Sequence, residues 1–176
     1  NALVIRSKAI EALVGCTRDV QKSLDELEKM GIYMDSSSYR VAVFDMDLFS
    51  EIHEIDMEKR QESALMAFVL FNVADEIVTG RGAGIAYQEG NNRVCILFMG
   101  DHCRGFSQET YEICEEIQNK VKEVIGIEVS AGIGGWVKNP EELIHSHEQA
   151  ENAIGLRYLL GGNLLIDTEE QKEERS

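Results

Sequence analysis

The sequence predicts an α+β fold: one β-sheet with helices packed on it, preceded by a helical lead-in. Three observations carry this. Apolar strands and amphipathic helices alternate in the order strand, helix, strand, strand, helix, strand, helix, strand. Residues 39–46 are apolar at both alternating sets of positions, the pattern of a central strand covered on both faces. Residues 3–30 show a three-four apolar spacing before the first strand. The chain divides into a helical lead-in and linker (1–37), the main domain (38–167) and an acidic tail or linker (168–176). Its 176 residues suffice for one domain with a sizeable core and an appendage.

In the lead-in, Leu3, Ile10, Leu13, Val20, Leu24 and Leu27 form either a coiled-coil seam or the inner faces of two short helices packed on the body. Gly15 breaks the run, Thr17 is the expected N-cap of a second helix reaching Met30, and Gly31 suits the position after its end. Asp35-Ser36-Ser37-Ser38 connects to the first strand, after which Phe49 and Ile52 turn the chain back toward the core. A helix is expected over 62–78, with Leu65, Phe68, Val69, Val73 and Ile77 on one face and Asn72 and Glu76 as polar exceptions. Met66, Leu70 and Phe71 give it a second apolar face, for the lead-in or a second subunit.

Strands at 83–88 and 93–99 flank Glu89-Gly90-Asn91-Asn92, a hairpin by its Gly and Asn content. Ser107 is the expected cap of a helix over 108–124, with Tyr111, Cys114, Ile117, Val121 and Val124 on one face, closed by Gly126. A strand follows at 127–133. Asn139, Pro140 and Glu142 then mark the start of a helix running to about Leu160, stopped by Gly161-Gly162 before a last short strand at 164–166. The first six elements of the domain match the split βαβ, ferredoxin-like plan.

The formal net charge of −15, from 32 acidic and 17 basic residues, repels a phosphate backbone, so direct nucleic-acid binding by this chain is not expected. The four cysteines form no CxxC pair; Cys95 and Cys114 sit in apolar patterns as core residues. There is no signal-peptide pattern, and the longest apolar run, 64–71, is too short to cross a bilayer. These features imply a cytoplasmic setting without membrane attachment. The start without Met inside a helix and the charged end imply a piece of a longer protein.

Asp45 and Asp47, at the end of the central strand, are the first candidates for chemistry, because paired carboxylates there are one way to hold a divalent cation. The alternative is a pair of solvated strand-end caps. His145 and His147, two apart on a helix, do not face each other and cannot chelate one metal as an i, i+4 pair could. His102-Cys103 lacks a third ligand, Trp136 and Tyr158 are expected to be packing residues, and Ser63 and Ser130 have no His-Asp partners. Gly132-Ile133-Gly134-Gly135 follows a strand but lacks the lysine-serine pair of a phosphate loop.

Three stretches in order carry a family resemblance: Phe44-Asp45-Met46-Asp47-Leu48-Phe49, the strand end Ser130-Ala131-Gly132-Ile133-Gly134, and Ala150-Glu151-Asn152-Ala153-Ile154 leading to Gly161-Gly162-Asn163. Over about 38–167 the chain resembles the nucleotide-cyclase fold, and within it the GGDEF domain of diguanylate cyclases. The resemblance implies two divalent metals held against GTP by carboxylates of the first strand and the hairpin. Asp45 matches the first of these. The signature itself aligns with Glu89-Gly90-Asn91-Asn92-Arg93, where only Gly90 is retained and the metal-binding acid is replaced by Asn92. The family's Lys, Asn and Asp after the first strand fall on Ser50, His53 and Glu54, its phosphate-binding helix Lys on Tyr158, and its product-inhibition Arg and Asp on about Gly80 and Ala83.

Within the family, the chain is most similar to the central GGDEF-like domain of AraC-type two-component response regulators. Leu27-Glu28-Lys29-Met30-Gly31-Ile32 and the Gly-Gly-Asn close add to the match. Regulators of the sugar-diacid type carry a similar domain and are not separated from it. The resemblance implies a non-catalytic coupling or dimerisation module for transcription control. A receiver would precede it and an AraC-type DNA-binding part would follow, both outside this chain. It would form a homodimer through helical faces, with packing at Leu13, Leu24 and Leu27 transmitting the signal. No catalytic, cofactor-binding or metal-binding residue is expected. A small-molecule or nucleotide sensor using the cleft near Asp45, Asn91 and Arg93 is the alternative, and an active cyclase the more distant one.

Overall fold

A computed structural model of the chain describes residues 1–47 and 57–170. At its centre is β1 (Ser38–Met46), the strand with both faces apolar. It pairs antiparallel on one side with β3 (Arg93–Gly100) and on the other with β4 (Val129–Ile133). β2 (Gly84–Glu89) lies outside β3, and β5 (Leu165–Asp167) runs parallel to β4 at the other edge. The five-stranded order is therefore β2-β3-β1-β4-β5. The first four strands have the split βαβ order and the fifth extends it, so the predicted α+β sheet is the observed one.

Alternation along β1 divides the core in two. Ala42, Phe44 and Met46 face α3 (Met57–Gly80) and α4 (Arg104–Ile125), with Ile96, Phe98, Leu70, Phe71, Ile117 and Val121. Tyr39, Val41 and Val43 face α1 (Ala2–Val14), α2 (Val20–Lys29) and α5 (Leu143–Ile154), with Ile10, Leu13, Leu27, Cys95, Leu97 and Ile154. Cys95 and Cys114 are buried and free, as their apolar settings predict.

The lead-in is thus two helices packed on the sheet: Ile10, Leu13 and Leu27 are wholly buried inside the domain and form no coiled-coil seam. The N-cap of α2 is Asp19, not Thr17; its carboxylate accepts from the Lys22 N–H at 3.3 Å. Gly31, at φ +82°, closes α2 as predicted, with Gly31 N–H donating to Glu28 O and Ile32 N–H to Leu27 O, both at 2.9 Å.

The two apolar faces of α3 are exchanged relative to the sequence expectation. Ala67, Leu70, Phe71, Ala74 and Val78 dock on the sheet, whereas Leu65 and Phe68 are 64% and 48% exposed. The polar exceptions Asn72 and Glu76 lie on the exposed side, which explains their presence. Gln61–Gly80 is, among the described residues, the one segment long and apolar enough to cross a bilayer by length and composition, a window wider than the unbroken run at 64–71.

Other boundaries move for local reasons. α4 starts earlier than expected because Cys103, not Ser107, caps it, its sulfur accepting from Phe106 N–H at 3.4 Å. The helix expected to reach Leu160 opens with a 3-10 turn at Pro140–Glu142 and breaks at Gly155. A separate short α6 (Arg157–Leu160) follows. Thr168 and Glu169 remain tied to the domain, through Thr168 Oγ1 to Ile133 O at 2.8 Å and Trp136 N–H to Glu169 Oε1 at 3.2 Å.

Candidate functional site

The C-terminal end of β1 meets the tip of the β2–β3 hairpin and the break between α5 and α6. Asp45 stands directly across from Arg93 in the β1–β3 register. Its Oδ2 accepts from Arg157 Nη2 at 3.2 Å and from Arg93 Nη2 at 3.5 Å. Arg157 follows the interruption of the helix at Gly155 and points inward: its side chain is only 8% exposed. Asp47 accepts from Ser130 Oγ–H and from Asn163 N–H, each at 2.7 Å, and lies 3.8 Å from Arg157 Nη1. Gly162 permits that approach, because a Cβ there would sit 2.9 Å from the Asp47 carboxylate. The two aspartates are therefore partly buried and engaged, not the solvated caps the sequence implied.

Arg93 also bonds Glu151 at 2.8 Å and Glu89 at 3.4 Å. Burial works against its charge, but Asp45, Glu89 and Glu151 outweigh that and raise its pKa. At the hairpin tip Gly90 takes φ +61°, and Asn92 Oδ1 accepts from Ser63 Oγ–H of α3 at 3.1 Å. A cleft of about 440 Å³ opens here, lined by Glu11, Asp45 and the hairpin residues Glu89 to Arg93. A neighbouring one of about 270 Å³ runs past Glu151 to Arg157 and Tyr158.

The two-cation arrangement that the fold implies needs anionic oxygens from the strand and the hairpin together. Here the one hairpin carboxylate, Glu89, is already engaged by His147 and Arg93, the rest of the turn offers two amides and a guanidinium, and Asp45 already bears two guanidiniums. Those residues do not fit a pair of hard divalent cations.

Sequence reasoning missed two components. Arg157 is adjacent to Tyr158, the position aligned with the family's phosphate-binding lysine, so a one-residue shift would have found it; Tyr158 itself is 64% exposed and not a packing residue. The other is His147, whose Nε2 lies 2.5 Å from Glu89 Oε2, with Glu151 3.9 Å from Nδ1. The i, i+4 spacing of His147 and Glu151 was the available signal. His145 is exposed on another face. Trp136 packs between His102, stacked at 4.9 Å, and Arg40, and donates to Ser107 Oγ at 2.9 Å. Ser50, His53 and Glu54, like Leu48, Phe49 and Ile52, lie outside the described residues.

The His147–Glu89 pair predicts a pH dependence. Burial alone would raise the Glu89 carboxyl, but His147, Cys95 and Arg93 hold it below its ordinary 4.5. The hydrogen bond to Glu89 raises His147 above 6.5, against its burial. The histidine contribution is complete below pH 6.5 and disappears as pH rises through the raised folded value. The glutamate contribution is complete above pH 4.5 and disappears as pH falls through the lowered one. His147→Gln should therefore cost most between those limits, about 1 kcal/mol, and the deficit should shrink as pH rises through the raised histidine value. Urea unfolding of both proteins across pH checks this; a deficit independent of pH removes the ion pair as its cause.

A family model described as "GGDEF-like domain" matches residues 18–156. No curated protein matches the chain. Among solved structures, the GGDEF domain of DgcB from Caulobacter crescentus, in complex with c-di-GMP, is 19% identical with a TM-score of 0.58, covering 93% of this chain and 88% of that one. Diguanylate cyclase SiaD from Pseudomonas aeruginosa, solved with its activator SiaC, is 14% identical with a TM-score of 0.63; the match covers 92% of this chain but 57% of SiaD. The active GGEEF domain of a diguanylate cyclase from Vibrio cholerae is 12% identical with a TM-score of 0.55, covering 81% and 87%. At these identities the likeness is one of fold.

Proposed function

The chain belongs to the GGDEF-like domain family, and on that premise we propose that it is a non-catalytic regulatory module acting in signal transduction. The observation that carries this reading is the double ion pair on Asp45. Arg157 and Arg93 both place a guanidinium at Oδ2 of Asp45, the residue that the family resemblance matches to the first metal carboxylate. Two fixed positive charges there disfavour a third, divalent one. Asn92 bonds Ser63 and adds no charge.

The finer role is coupling within a cytoplasmic two-component response regulator that controls transcription, with receiver and AraC-type DNA-binding domains outside this chain. The packing of the lead-in supports coupling. Ser7 Oγ of α1 accepts from the Gln88 N–H of β2 at 3.1 Å, and Arg6 pairs with Asp75 of α3 at 3.4 Å. A displacement of α1 thus reaches the edge strand and α3 together. Leu13 and Leu27 are interior, whereas the outward side of α3 exposes Leu65 and Phe68 and the start of α1 exposes Leu3, Val4 and Ile5; of these apolar faces, we assign that of α3 to a second subunit. A nucleotide or small-molecule sensor is the second reading, favoured by the cleft of about 440 Å³ beside Asp45 and Arg93.

Incubation with GTP and Mg²⁺ or Mn²⁺ is expected to yield no cyclic dinucleotide by chromatography; product abolished by Asp45→Ala would sink the non-catalytic reading. Sedimentation over a concentration series is expected to show a dimer indifferent to GTP and weakened by Phe68→Glu. A monomer that gives binding heat with GTP or c-di-GMP moves the assignment to the sensor.

A further inference from the structure

Glu89 ends β2, Cys95 lies on β3, and His147 lies on α5, all on the α1/α5 side of the sheet. Glu89 Oε2 lies 2.5 Å from His147 Nε2 and 3.4 Å from Cys95 Sγ. The three donor atoms fall within 4.8 Å of one another. We propose that Glu89, Cys95 and His147 form a binding site for a thiophilic divalent transition ion of the Zn²⁺ class, clamping the β2–β3 hairpin to α5.

The dimensions fit. Zinc bonds of about 2.0–2.3 Å in a tetrahedron place ligand atoms about 3.3–3.6 Å apart. The Glu89–Cys95 edge already has that length, and the Glu89–His147 edge needs to open by roughly 0.8 Å, within reach of a small side-chain rotation. The fourth position is left to water from the adjoining cleft, which Glu89 lines. One sulfur, one imidazole and one carboxylate select zinc or cobalt over magnesium, which takes oxygen.

The surroundings complete the site. Tyr87, paired with Cys95 across the β2–β3 ladder, has a buried hydroxyl beside the Cys95 sulfur and makes no well-formed hydrogen bond among the described residues. A metal-bound thiolate there is a stronger acceptor than the thiol. Glu151, one helical turn along, lies 3.9 Å from His147 Nδ1, longer than a hydrogen bond, and would orient the imidazole as an outer carboxylate only on closing that gap. Arg93 bonds Oε1 of Glu89, leaving Oε2 for the ion.

The test is a Co²⁺ titration of the untagged chain carrying Cys16→Ser and Cys103→Ser, which removes the two exposed thiols. The expected result is one equivalent bound with a thiolate-to-cobalt charge-transfer band, displaced by Zn²⁺ and unaffected by Mg²⁺. Cys95→Ser should abolish the band. His147→Gln, at a half-buried position that leaves the core intact, should weaken binding at least tenfold. Absence of the band, or equal affinity in the His147→Gln protein, overturns the proposal.

Discussion

Replacing Asp167 by alanine is expected to destabilise the domain by about 3–5 kcal/mol, because it leaves a buried guanidinium without its counter-charge. Arg40 sits on the central strand with no exposed side-chain surface. Its Nη2 and Nη1 donate to the two Asp167 oxygens at 2.7 and 3.2 Å, its Nε to Gly134 O at 2.9 Å, and Nη1 also to Thr110 Oγ1 at 3.2 Å. The group is fully desolvated, so the loss should persist in high salt. Arg40→Met combined with Asp167→Leu should cost much less than the Asp167→Ala change alone, since both charges then leave together. Urea unfolding followed by the fluorescence of Trp136, which packs over Arg40 at 5.0 Å, reads this directly. A loss below about 1 kcal/mol for Asp167→Ala would mean that water reaches the pair.

Gly134→Ala is the second large effect. A Cβ at Gly134 would lie 1.9 Å from the backbone oxygen of Ser146, and one at Gly132 would lie 2.3 Å from that of Ala150. Two extended residues span about 6.6 Å and four helical residues about 6.0 Å, so the two contacts recur in step along the end of β4, the residue after it, and α5. Ser146 adds a bond at 2.9 Å from the Val41 N–H to its Oγ, which joins the helix to β1. An added methyl would have to displace the Ser146 backbone together with the Ser146 hydroxyl that holds β1, and the expected cost is about 3 kcal/mol or more. Gly105→Ala, in α4 with nothing within 4 Å, serves as the control and should be neutral or slightly stabilising. Equal thermal midpoints for the two variants would refute close helix–sheet contact as the role of Gly134.

The glycines at 132 and 134 were legible as a family motif but not as a packing device, since the partner backbone lies more than ten residues further on. The same limit applied to α3. A helix apolar all round declares that it is covered, but not which side meets the sheet. Helix starts went astray at Thr17 and Ser107 for a smaller reason: Asp19 and Cys103 were competing acceptors nearby, and the approach of the chain selects among them. At the site, Asp45 and the altered hairpin were visible in order. Arg157 was hidden by the break at Gly155, which an uninterrupted helical pattern over 140–160 conceals.

What the sequence by itself determined is the α+β architecture, the central place of β1, the hairpin and the family. Each follows from local periodicity or from short motifs whose meaning does not depend on distant residues. The tertiary structure alone decided which charges meet. Asp45 with Arg157, Arg40 with Asp167 and Glu89 with His147 are separated by 112, 127 and 58 residues. No periodicity links such positions. Their pairing follows from strand order and from helices docking across the sheet, and from the cost of leaving any one of those charges buried without the other.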